Sequence, residues 1–290
     1  MIPLLIAGHG TTDPEGATQF RQFVKRVAGR VEVPVAGGFI ELSPPPLAEA
    51  VTELVHGGAR RLAAVPLMLV AAGHAKGDIP AALARERARH PGLSTVYGRP
   101  LGPHPTVLAL LRQRLAEAGA GPDSTVLLVG RGSTDPDANA EVAKVARLLA
   151  ETTDVAGVEY AFVSLAPPDT AAGLERCRRL GARDLVVLPY FLFTGVLPRR
   201  VAEQARRFDA AVRVAEVLGD GDSLADLVIE RYHEALAGDI RMNCDTCVYR
   251  VALPGHGHRV GAAQTPHEHP DDHDHGHFPP SGPAGVHRSA

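Results

Sequence analysis

Three residues, His9, Glu41 and His74, carry the side-chain types best able to do chemistry in this chain. His9 stands in IAGHGTTDP, Glu41 in GGFIELSPP and His74 in LMLVAAGHAKGD, and each follows a short apolar run of strand character. Two imidazoles and one carboxylate suit Fe(II), Co(II), Ni(II) or Zn(II) and leave coordination positions open for incoming nitrogen ligands. An all-thiolate site would hold such an ion too tightly to release it. An imidazole with its ordinary pKa of about 6.5 is mostly neutral near neutral pH, so it can ligate a metal or accept a proton at little cost. Taken singly, each of the three also reads as an ordinary loop polar group; their shared place at strand carboxyl ends is what favours function. Open parallel sheets bind ligands beyond those ends, beside the point where strand order reverses. An order of 2-1-3-4 would bring the three strands together.

The elements that must position these residues recur. GHGTTDP, starting at Gly8, returns as GRGSTDP at Gly130, an offset of 122. The stripe Phe20, Phe23, Val24, Val27 returns as Val142, Val145, Ala146, Leu149, which is helical spacing in both copies. One residue of slippage later, FIELSPP from Phe39 matches FVSLAPP from Phe162, GARRL from Gly58 matches GARDL from Gly181, and Pro66 matches Pro189. Four strand-like runs alternate with helical patterns in each half: PLLIAG, VAGGFIEL, RLAAVPLML and STVYG, then TVLLVG, VEYAFVSL, DLVVLPYFL and VRVAEVL. The expected fold is α/β, two homologous doubly wound parallel-sheet domains. Domain boundaries are expected at 1–119 and 120–240, with a linker near Ala118 to Asp123, followed by a flexible segment 241–290.

The second copy lacks the chemical set, since Arg131, Ser164 and Leu197 replace His9, Glu41 and His74. A single active site in the first half is therefore expected, supported and covered by the second. Arg131, Arg199 and Arg200 are candidates for binding ligand carboxylates. Thr11 and Thr12, at a helix N-terminus, could receive an anion, although Thr12 or Asp13 as an ordinary N-cap is the stronger reading. Lys76 is a further carboxylate candidate with a solvated lysine as its default. His104, in GPHP, reads as a turn residue.

The chain's 290 residues and 45% apolar content allow two proper cores. The opening MIPLLIAGHGTT reads as a first strand and not a signal peptide, and no apolar run reaches membrane-span length, so a cytoplasmic protein without membrane association is expected. A net charge of −3 and 4% aromatic residues argue against nucleic-acid binding. Cys244 and Cys247 form one C-x-x-C, open to a redox pair, a zinc site or part of a cluster, while Cys177 reads as buried filler. Eight of the 14 histidines (256, 258, 267, 269, 273, 275, 277 and 287) follow Pro254 among Asp residues. They read equally as a metal-buffering sink or a dispensable solvated extension.

Together IAGHGTTDP, GGFIELSPP, PLMLVAAGHAKGDIP, RPLGPHP, the degenerate second copy and the C-terminal MNCDTCVYR resemble the sirohydrochlorin chelatases in their long form with two fused halves. The resemblance covers essentially the whole chain. It implies an ATP-independent, lyase-type chelatase that inserts Co2+ or Fe2+, with Ni2+ also open, into sirohydrochlorin for cobalamin or sirohaem biosynthesis. The absence of G-x-x-x-x-G-K-[ST] fits that implication. By motif the family's metal-binding histidines and assisting glutamate fall on His9, His74 and Glu41. The substrate's eight carboxylates imply a local basic patch. Long-form members with M-x-C-x-x-C have been associated with an iron-sulfur cluster, which Cys244 and Cys247 could not complete alone. The tail tilts the metal slightly toward cobalt, and a homodimer stays open. Two rivals stand beside this reading: a non-catalytic metal or tetrapyrrole chaperone, and a phosphohydrolase suggested by GRGST but lacking a histidine beside Arg131.

Overall fold

A computed structural model describes residues 1–239, 249 and 257–262. The first half contains β1 (Leu4–Gly8), α1 (Pro14–Ala28), β2 (Val35–Phe39), α2 (Leu47–His56), β3 (Arg61–Pro66), α3 (Ile79–Arg89), β4 (Ser94–Tyr97) and α4 (Pro105–Glu117). The second contains β5 (Ser124–Gly130), α5 (Pro136–Glu151), β6 (Gly157–Phe162), α6 (Thr170–Arg179), β7 (Asp184–Pro189), α7 (Val196–Phe208), β8 (Arg213–Val214) and α8 (Asp222–Ala237). Each half builds a four-stranded, wholly parallel sheet, ordered β2-β1-β3-β4 and β6-β5-β7-β8. The expected order is therefore found, twice. Among the described residues no helix is long and apolar enough to cross a membrane.

Strand periodicity explains the layering. Successive side chains point to opposite faces, so Leu4 and Ile6 of β1 enter a core shared with Val126 and Leu128 of β5. Leu5 and Ala7 face α2 and α3, and Leu127 and Val129 face α6 and α7, in two separate outer cores. The two sheets thus back onto one another through a common layer of α1, α4, α5 and α8.

That layer is exchanged between the halves. Helix α8 packs on β3, β4 and α1, while α4 packs on β7 and α5. Arg231 of α8, 1% exposed, donates to the carbonyls of Pro100 and Leu101, and Tyr232 donates to Ile2 O at 2.7 Å. Arg99 makes a bidentate pair with Glu234 at 2.7 and 2.9 Å. In the other direction Arg213 donates to Ala118 O at 3.0 Å. His104 caps α4 by accepting from Thr106 N at 3.2 Å, the turn role its Pro-flanked setting suggested.

Candidate metal centre in the cleft between the halves

The strand carboxyl ends of both sheets open on one cavity of about 840 Å³, walled by His9, Thr11 and His74 from the first half and Arg131, Ser164 and Tyr190 from the second. His9 immediately follows β1. Gly10, at φ 107°, lets this loop lie against the Glu41 loop, since a Cβ there would stand 1.8 Å from Glu41 O. Glu41 N donates to His9 O at 3.1 Å, which locks the two loops side by side. His74 begins a π-helical turn, His74–Asp78, that runs straight into α3. Such turns are rare and concentrate at functional sites.

These loops bring His9, Glu41 and His74 together, with one ligand atom of each inside a 4.8 Å sphere of separation. His9 Nε2 lies 3.3 Å from Glu41 Oε1, and His74 Nε2 lies 4.0 Å from the same oxygen. The imidazoles meet edge to face, with ring centroids 4.2 Å apart and planes at 84°. Hydrogen bonding sets both tautomers. His74 Nδ1 lies 2.5 Å from Asp78 Oδ2, and His9 Nδ1 lies 3.1 Å from Gly10 O. Carboxylate and carbonyl oxygens accept, so each Nδ1 carries the proton and each Nε2 presents its lone pair. Metal–nitrogen bonds of about 2.0–2.1 Å fit donors at this spacing after small adjustments.

Arg131 faces His9 across the cleft, its Nη1 donating to His9 Nε2 at 2.9 Å. Its basic group is thus at the site, as the sequence suggested. Thr11 and Thr12 line the cavity, but Asp13 is the N-cap of α1, accepting from Glu15 N at 2.9 Å. Thr11 Oγ1 accepts from Asp13 N at 3.1 Å.

Lys76 and Arg199 are placed differently from expectation. Lys76 is not solvated: its Nζ donates to Asp135 at 2.7 Å and Asp137 at 2.8 Å, all three side chains being nearly fully buried. Burial pulls the ammonium pKa down, yet the bonds to Asp135 and Asp137 outweigh it and the net shift is upward. Arg199, its counterpart in the repeat, pairs with Asp13 and with Glu15, the latter at 2.8 Å. Each half therefore grips the N-terminal carboxylates of the other's leading helix, and neither cation faces the cavity. Arg200 is half-buried on α7 and likewise stands outside the cavity wall.

Further contacts had only weak signals in the sequence. Asp78 is one, at four residues from His74. Glu141 of α5 is another: it accepts from Ala71 N at 2.9 Å, just as its repeat counterpart Gln19 accepts from Thr194 N at 2.9 Å. Burial chiefly, with help from Asp137, holds the Glu141 carboxyl above the ordinary range. Cys177 is buried in the outer core of the second half, and burial first, then Glu159, pushes its thiol up to about 11. Cys244 and Cys247 lie outside the described residues, as does all of the His-rich segment except His258, which lines the cavity.

Fold and site define a duplicated, doubly wound α/β protein with a candidate metal centre in the cleft between its halves. The chain belongs to the CbiX family, whose model matches it twice, over residues 3–118 and 125–235. It is 37% identical to a sirohydrochlorin cobaltochelatase of Priestia megaterium over 88% of this chain and 87% of that one. A sirohydrochlorin ferrochelatase of the same organism is 33% identical, over 79% and 88%. Among solved structures, SirB from Bacillus subtilis with Fe3+ superposes with a TM-score of 0.73 at 28% identity, covering 82% of this chain and 97% of that one.

Proposed function

We propose that this protein is a sirohydrochlorin chelatase, an ATP-independent lyase that inserts Co2+ or Fe2+ into the tetrapyrrole for cobalamin or sirohaem synthesis. The observation that carries the reading is the convergence of His9 Nε2, His74 Nε2 and the Glu41 carboxylate at one mouth of the cleft. The relatives named for cobalt and for iron support both ions as substrates.

His9, His74 and Glu41 hold the divalent ion against one face of the macrocycle, which replaces a bimolecular encounter by a positioned one. Two pyrrole N–H bonds break as the ion passes to all four ring nitrogens, and the two protons leave through Glu41 or an imidazole released from the metal. The lone pair of His9 Nε2 cannot serve Arg131 and a metal together. As the ion docks, the guanidinium turns from His9 toward the cavity, where it meets a substrate carboxylate. Thr11 and Thr12 offer further hydrogen bonds to that rim.

The test is absorbance spectroscopy of excess sirohydrochlorin with Co2+, Fe2+ or Ni2+ and catalytic amounts of protein. Many turnovers are expected with Co2+ or Fe2+. His9→Ala and His74→Ala should each slow metallation by more than about 100-fold, beyond what loss of an outer hydrogen-bond partner does, while circular dichroism stays native. Stoichiometric binding without turnover would instead make the protein a chaperone.

A further inference from the structure

Among the described residues only Leu42 and Leu165 combine a side chain with a positive φ, 64° and 61°. That left-handed region strains an L residue, and glycine or asparagine enters it more easily. The strain is held in place twice by the same contacts. Ser43 N donates to Glu41 O and Ala166 N to Ser164 O, each at 2.7 Å, closing a tight turn around the leucine. Gly10 and Gly132 press against the carbonyls of Glu41 and Ser164 from behind, allowing no Cβ.

Neither side chain fills a core. Leu42 is 40% and Leu165 38% exposed, and both line the cavity, one from each half. The repeat adds a second argument. Between the copies His9 becomes Arg131, Glu41 becomes Ser164 and His74 becomes Leu197, yet the residue after Glu41 and after Ser164 is leucine in both. A feature that both halves keep, while only one keeps the metal-ligating set, serves an occupant that both halves touch.

We propose that Leu42 and Leu165 are paired apolar contacts for the tetrapyrrole ring, one contributed by each half, and that the left-handed turns exist to present them. The inference rests on the chelatase reading, which supplies a broad, flat occupant with apolar faces and charged edges. The ring's carboxylates stay at the polar rim, and the leucines bury against its faces.

Leu42→Asn and Leu165→Asn test this in the full chain, with metal-free sirohydrochlorin as one probe and Co2+ alone as the other. Each variant should weaken sirohydrochlorin binding about ten-fold, the loss of roughly one well-buried aliphatic contact. Co2+ binding that depends on His9 should change by less than about two-fold, and Tm should hold or rise because asparagine relaxes the turn. Leu42→Met should bind sirohydrochlorin nearly as the wild type does. If an Asn variant misfolds, Leu42→Gly, free of the φ penalty, takes its place. Unchanged sirohydrochlorin affinity in folded variants would overturn the proposal, as would a Tm loss in step with the binding loss. Failure of the wild type to bind or metallate sirohydrochlorin would defeat the chelatase reading itself, and this inference with it.

Discussion

Replacing Asp78 with alanine removes the acceptor that holds His74 Nδ1–H and nothing else from the metal centre. The Nδ1–Oδ2 separation is 2.5 Å, and the two side chains are only 10% and 20% exposed. A hydrogen bond to a charged group in that setting is worth about 1.5–3 kcal/mol. Asp78 keeps some access to water, so the lower half of that range applies, and it converts to roughly a 10- to 40-fold loss. Outer partners of metal-binding histidines generally act on this scale, about 10- to 100-fold. The loss should fall on the ion and not on the macrocycle. In steady-state metallation the KM for Co2+ should rise by that factor in Asp78→Ala, with the KM for sirohydrochlorin unchanged. Asp78→Asn should lie between, because its amide oxygen still accepts from Nδ1–H but without the charge. A folded Asp78→Ala whose Co2+ saturation curve overlays that of the wild type would refute the reasoning.

Arg131→Ala should separate the two substrates in the opposite sense. Sirohydrochlorin binding weakens by about ten-fold for one lost charged contact, whereas Co2+ binding holds or tightens because Arg131 no longer donates to His9 Nε2; calorimetry with each ligand alone measures both, and the reverse split would count against the guanidinium's turn. Glu141→Gln tests the bond across the halves through pH. An acid held above its ordinary value binds more protons folded than unfolded, so its contribution to stability is complete below the ordinary value of 4.5 and declines as pH rises through the raised one. Glutamine still accepts from Ala71 N, as Gln19 does from Thr194 N, so thermal melts should show a higher Tm than wild type at about pH 8 and no gain at about pH 4. A pH-independent difference would contradict it.

Much of this protein is written locally. The short, continuous apolar runs from Leu4, Val35 and Leu62 and their copies form the strands, and the GHGTTDP and GRGSTDP turns start the helices. Once a parallel order of 2-1-3-4 follows, strand-end topology alone puts His9 and Glu41 at one edge. His74 departs from the expected strand-end position, because β3 ends at Pro66 and the imidazole arrives through a π-helical turn eight residues further on.

Lys76, Arg199, α4 and α8 show where local pattern stops being informative. A lysine in HAKGD has no neighbour in sequence that says it will be buried between Asp135 and Asp137, so residue type alone leaves it a candidate for a ligand carboxylate with a solvated lysine as the default. Its partners become visible only once the two sheets share a core and trade their last helices. Periodicity tells which face of an element is apolar, but it carries nothing about which distant element will cover that face. The sequence by itself therefore determined the two sheets and singled out the three residues of the candidate metal centre. The pairing of charges between the halves, and the exposure of Leu42 and Leu165 in the cleft, were decided by tertiary contacts, the pairs of Lys76 with Asp135 and Asp137 and of Arg199 with Glu15 joining segments 59 to 184 residues apart.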